Sequence, residues 1–188
     1  MMAICGGKRL AVDWDDYLPF DPPYDKPHRE LTAAEARADF DVVMGTMGER
    51  LQALERLCRH NGVALDGNLA AHDLTAIEAW YRANVEGDPV TDRLRPYWYG
   101  VSHDLGLYFG QSAIARYPWL RWELVKRPRS DFAFQQPVIA GFRNAGHAMH
   151  HPPIPTVLGI GFRVAFGNEQ DGESDYLTEI LTGWADIA

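Results

Sequence analysis

From Tyr97 to Ala115 the chain is apolar on nearly every side of a helix, and at Tyr117-Pro118 that helix has to stop, because a residue before proline is pushed out of the helical region. Beyond Pro118 the pattern alternates instead. Leu120, Trp122 and Leu124 are separated by Arg121 and Glu123, and Phe132, Phe134, Gln136, Val138 and Ala140 by residues that include Gln135 and Ile139. A helix without a solvent face belongs in the middle of a core. Period-two segments joined by a hairpin-sized link, residues 126–131, predict antiparallel strands over 120–125 and 132–142. Pro137 places the second at an edge or a bulge. The combination predicts an α+β fold: four to five helices around a central buried helix, packed on a small antiparallel sheet.

The remaining elements are set by local chemistry. Thr32 and Glu35 have the spacing of a capping box, so the first helix opens there. Phe40, Val43, Met44, Met47, Leu51, Leu54 and Cys58 give it one apolar stripe, and Asn61-Gly62 ends it. Asp73 is placed to cap a second helix with Leu74, Ile77, Trp80 and Tyr81 on its inner side, ending in the turn cluster 86–89. The central helix is expected to start near Thr91 or Asp92, with Pro96 in its first turns. Gly106 and Gly110, four residues apart, would let another element approach its backbone. Residues 143–153 read as a loop. Residues 154–167 fit either a strand or a helix, with the helix preferred. A last helix over 174–185 would bury Tyr176, Leu177, Ile180, Leu181 and Trp184. Ahead of all this, residues 1–30 hold a candidate short strand over 9–14, and then Pro19, Pro22, Pro23 and Pro27, which exclude a helix. They form an acidic, aromatic- and proline-rich arm, packed or free, ahead of a single α+β domain over 31–188.

Charge placement narrows the function classes. The net charge is −8. Nine acids face three bases between Asp13 and Asp41, six acids and no base fall between Glu169 and Asp186, and Arg116–Arg129 carries five bases against Glu123. Acidic ends disfavour nucleic acid and anionic membranes and suit a cationic partner. The basic middle segment is a solvated face, a complement to the chain's own acids, or a site for an acidic partner. No apolar run reaches the roughly 20 residues of a membrane span. The start lacks the long apolar region of a secretory signal. Cys5 and Cys58 make no disulfide framework. A cytoplasmic protein is expected.

The chemistry-bearing residue types do not assemble by spacing. His147, His150 and His151 lie beside Pro152-Pro153 without a nearby fourth ligand, so no metal is expected. Ser102-His103-Asp104 has triad residue types, but helix neighbours point about 100° apart. Asp104 on so apolar a helix is expected to be a structural polar anchor, accepting hydrogen bonds or pairing with an arginine. Gly159-Ile160-Gly161 lacks the third glycine of a dinucleotide fingerprint, and 168–179 lacks the end carboxylates of a calcium loop. No cofactor is expected.

Four stretches resemble a family of uncharacterised bacterial α+β proteins: F40-x-x-V-M with E49-R-x-x-A-L, W98-Y-x-V-x-x-D104-L-x-L-Y-x-G110, the run Pro118–Glu123, and Q136-P-V-I-A-G-F142. Some similarly sized tryptophan-rich α+β proteins are cytoplasmic immunity proteins of toxin systems. Charge placement, the missing catalytic spacing and this resemblance together lead to the expectation of a non-enzymatic protein-binding module, an immunity-type stoichiometric inhibitor of a basic protein such as a toxin. Charge and aromatic content assign the contact to Asp13, Trp14, Asp15, Asp16, Tyr17, Asp21 and Asp25, with Trp14 and Tyr17 as anchors. The alternative is an enzyme or small-ligand-binding protein with a cleft near His103, Asp104 and Gln111.

Overall fold

The computed structural model describes residues 11–143, 149–167 and 175–187. Helix α1 (Ala33–His60) opens on the capping box. The Thr32 hydroxyl accepts the Glu35 N–H at 3.2 Å, and the Glu35 carboxylate accepts the Thr32 N–H at 2.7 Å. Lys26 holds the same carboxylate at 2.9 Å, and these bonds, the lysine's first, draw its pKa down to about 2. Gly62, at φ 83°, turns the chain out of the helix.

Helix α2 (Ala71–Asn84) is not capped by Asp73, as its sequence suggests. The cap position is Ala70, and Asp73 lies in the first turn, fully buried. Its two oxygens accept the N–H groups of Asp66 and Gly67, each at 2.9 Å, so it closes the preceding loop instead. Glu78 on the same helix is equally buried and accepts the Leu177 N–H at 2.8 Å and the Arg82 Nε–H at 2.8 Å.

Helix α3 (Pro96–Arg116) starts later than expected. Strands β1 (Gly87–Asp88) and β2 (Arg93–Leu94) pair antiparallel, so Thr91 and Asp92 belong to a hairpin turn and Pro96 stands at the first helical position. Thirteen of its residues are buried, and Val101, Leu105, Tyr108 and Phe109 have no exposure at all. It is the central helix of an α+β fold, with α1, α2 and a later helix, α4 (Pro153–Ala165), packed on it.

The sheet has shorter strands than the sequence suggests, and one more of them. Strand β3 (Arg121–Leu124) pairs antiparallel with β4 (Pro137–Ala140), which pairs with β5 (His150–His151). Residues 132–136, expected as strand, are instead a compact turn that leaves Phe132 largely exposed. There the Asp131 carboxylate accepts the Ala133 N–H at 2.8 Å, and the Phe134 and Gln136 N–H groups bond to Asp131 and Ala133 carbonyls. Side-chain and local carbonyl acceptors take three of the donors a ladder would use, and only the Gln135 N–H of this turn reaches across, to the Val125 carbonyl at 2.7 Å. The expected loop 143–153 supplies β5 and the first residue of α4 (Pro153–Ala165), a helix. Helix α5 (Tyr176–Gly183) and a turn of 3-10 helix to Asp186 bury Leu177, Leu181 and Trp184 and leave Tyr176 and Ile180 half-buried. No described helix is long and apolar enough to cross a membrane.

Residues 11–30 lie against the helices, and residues 11–14 are not a strand. Tyr17 belongs to the main core, and Val12 and Trp14 pack on it. Close backbone approach is concentrated on α3. A Cβ at Gly106 would lie 2.6 Å from the Ile154 Cα of α4, and one at Gly110 would collide with the Trp122 ring of β3.

Two substitutions test this packing. Leu105→Ala should cost about 2–5 kcal/mol in chemical denaturation. Gly106→Ala should lower the melting temperature despite its higher helix propensity. Gly45→Ala, on the exposed side of α1 with nothing within 4 Å, should by contrast raise stability by about 0.5–1 kcal/mol.

Candidate functional site

Asp104 has no solvent exposure, and burying a carboxylate alone would be prohibitive. Three side chains serve it. Arg50 of α1 donates from Nε to Oδ1 at 2.9 Å and from Nη2 to Oδ2. Tyr17 of the arm donates its hydroxyl to Oδ2 at 2.7 Å. His103 meets Oδ1 through Nδ1 at 2.9 Å. Burial works to lower the Arg50 pKa and is outweighed by the Asp104 hydrogen bonds and charge, so the guanidinium stays charged. Burial, and then the neighbouring carboxylate, push the Tyr17 phenol far up, so it remains a donor. Arg50 also donates to the Leu18 carbonyl at 2.8 Å, which ties the arm to the same cluster.

His103 and Asp104 thus touch although they are helix neighbours. Ser102 does not join them. Its hydroxyl bonds the Trp98 carbonyl at 2.6 Å and the Tyr81 hydroxyl at 2.7 Å, on the inner side of α3. A base and its orienting carboxylate are present, and the nucleophile of a triad is turned away.

The His103 ring is on the wall of a cleft of about 230 Å³ over the middle of α3. Phe20 of the arm lies parallel to the imidazole at 4.1 Å and forms the wall with it. Val43, Tyr99, Ile154 and Leu158 supply most of the remaining surface. The polar side chains on its lining are His103, Gln136 and a second pair, His28 and Asp39, 3.3 Å apart; Ser102 also lines it, with its hydroxyl bonded to Trp98 and Tyr81. Nε2 of His103 is buried and has no hydrogen-bond partner.

The residues expected to meet a partner are divided by this arrangement. Tyr17 is buried to 4% exposure and spent on Asp104, so it cannot anchor a partner. Trp14 is half-buried among Tyr17, Tyr97 and Trp98. Asp13 is exposed but engaged: its backbone bonds the Asn61 side chain and its carboxylate lies 3.0 Å from His60. Asp15, Asp16, Asp21 and Asp25 are exposed. Gln111 stands away from the cleft, accepting the Trp122 indole N–H at 3.3 Å. His28 and Asp39 were missed by sequence reasoning. The available signal was a carboxylate on the apolar stripe of α1, between Ala36 and Phe40.

The histidine cluster is also divided. His147 lies outside the described residues. His150 sits 3.2 Å from Asp131, and His151 bonds the Thr156 hydroxyl at 3.0 Å. Burial pushes the His151 pKa down to about 4, with His150 adding to the shift. Among the described residues no group of three or more His, Cys, Asp or Glu side chains comes together as metal ligands. No family model, no curated protein and no solved structure matches this chain.

Arg50→Ala should cost about 3–5 kcal/mol, because it strands a buried carboxylate, and Tyr17→Phe about 1.5–3 kcal/mol; urea denaturation measures both. The arm should also respond to pH. The hydrogen bond that His60 donates to the Asp13 carboxylate raises the His60 pKa above its ordinary 6.5. The stabilisation is therefore complete below 6.5 and is lost as pH rises through the raised value. Amide protection over residues 11–20, corrected for intrinsic exchange, should fall across that window, and His60→Ala should remove the dependence.

Proposed function

We propose that the chain is a non-enzymatic binding protein, and that its ligand is a small, mainly apolar molecule carrying one hydroxyl or N–H donor, taken up in the cleft beside His103. The observation that supports this reading is a buried, unpaired Nε2 on His103, a residue that lines an otherwise apolar cleft. The tautomer is set by the partner: a carboxylate already paired with Arg50 can only accept, so Nδ1 carries the proton and Nε2 of the neutral ring is an acceptor. Leaving such an acceptor buried and unmet costs about 1–3 kcal/mol, which a donor on the ligand would recover. The volume is below the roughly 300 Å³ typical of drug-sized sites, so the ligand is small. Binding is favoured over catalysis because Ser102 is committed elsewhere.

Calorimetry with 2-naphthol and naphthalene tests the reading. The naphthol should bind at least about fivefold more tightly, the worth of one hydrogen bond. His103→Phe should erase the preference, and Leu158→Trp should fill the cleft and abolish both. Binding by neither probe, or a preference that survives His103→Phe, overturns it.

The four exposed carboxylates Asp15, Asp16, Asp21 and Asp25 favour a second reading, an immunity-type inhibitor of a basic protein such as a bacterial toxin. It would engage its partner by charge rather than through Tyr17, so Asp-to-Asn changes at these positions should slow association, and added salt should do the same. A buried, unpaired Cys58 suits a cytoplasmic location under either reading.

A further inference from the structure

A second concavity, of about 650 Å³, opens between the first turn of α1 and the link from β3 to β4. Its rim carries Lys126, Arg127 and Arg129, all exposed, and its floor carries Leu124, Phe134 and Gln135. Of the acids close in sequence to its lining, Glu35 is held by Lys26 and the Thr32 backbone, Glu123 by Arg121, and Asp131 by the Ala133 N–H and His150, while Glu30 is exposed. Among the described residues none of the three rim cations makes an ion pair. The Arg129 guanidinium lies over the Phe134 ring, 5.9 Å from its centroid.

Gln135 is the telling residue. It is 5% exposed and holds a left-handed backbone, φ 61°, unusual for a side chain of its size. Its amide Nε2 donates to the Leu31 carbonyl at 2.8 Å and the Thr32 carbonyl at 3.3 Å. Both partners are acceptors, so the orientation of the amide is settled: the NH2 group faces α1, and Oε1 faces away from it. Oε1 is buried and has no partner. The groove is thus lined by three cations that make no ion pair among the described residues and by Gln135, which carries a buried acceptor without a donor.

We propose that this groove binds a small phosphate monoester that also carries a hydroxyl or N–H donor. Two guanidinium forks and an ammonium suit the dianionic, multi-oxygen phosphate better than a single carboxylate. The donor on the same molecule would satisfy Gln135 Oε1, and Leu124, Pro128 and Phe134 offer apolar contact to its carbon frame. The site is separate from the cleft beside His103: Gln135 lines this groove, and Gln136 and Pro137 line the other.

Calorimetry on the full chain with glycerol 1-phosphate, ethyl phosphate and inorganic phosphate tests the assignment. Glycerol 1-phosphate should bind saturably and about fivefold or more tighter than ethyl phosphate, which lacks the hydroxyl donor. Arg127→Ala and Arg129→Ala, both at exposed positions, should each weaken it about tenfold or more, with melting temperatures unchanged. Gln135→Met should remove the preference for glycerol phosphate over ethyl phosphate; if that variant does not fold, the two-ligand comparison in the parent chain decides the point. Absence of saturable binding, indifference to both arginine substitutions, or equal affinity for glycerol and ethyl phosphates overturns the proposal. Binding only of a phosphoserine peptide, and of none of the small esters, overturns it as well.

Discussion

One carboxylate organises this molecule. Asp104 sits on a helix with almost no polar surface, and it is tolerated there because three donors from three parts of the chain converge on it. Arg50 ties α1 to α3. Tyr17 ties the arm to both. His103 is fixed on the cleft wall by the same oxygen that Arg50 holds. Replacing such a cluster with well-packed apolar groups would often leave stability unchanged or improved, so its worth lies in what it positions. Here it positions an imidazole and a segment of extended chain.

The extended chain matters because it has little regular structure of its own. Residues 11–27 make few backbone bonds to one another, and they hold their place through Tyr17, the Leu18 carbonyl and Asp13. Phe20 then closes over His103. Gly100 of α3 allows Pro19 to approach at a distance that a Cβ would forbid. The arm adds Phe20, Pro22 and His28 to a cleft built mainly from α1, α3 and α4, and its shape depends on a segment that the helices alone do not determine.

Much of the architecture was legible in local pattern. The apolar circumference of α3, the Thr32–Glu35 box and the alternation around Trp122 each arise from interactions within a few residues. Gly106 and Gly110 do face close neighbours. The failures share a physical origin. Asp73 and Asp131 looked like residues that cap or precede regular elements, and both instead satisfy nearby loop N–H groups, a choice made by a few ångströms of tertiary geometry. The site was less legible than the fold. That Asp104 would need partners was clear, but Arg50 lies 54 residues away and Tyr17 87, and nothing in the sequence ranks one arginine or tyrosine above another. The aromatics of the arm read either as partner anchors or as packed on their own domain, with packing preferred, and Tyr17 is core.

Glu78 carries a consequence for the order of events in folding. Helix α5 has only eight residues and no side-chain cap of its own, so it is too short to persist alone. Its Leu177 N–H is met by the Glu78 carboxylate, 99 residues earlier, where burial raises the Glu78 pKa against the opposing pull of that N–H and of Arg82. Closing so long a loop is slow relative to local helix formation. Helix α5 therefore consolidates only on a platform already built from α2. Before that contact closes, the Glu78 carboxylate and the surface that receives Leu177 and Leu181 are open to water, so the docking of α5 seals this part of the core.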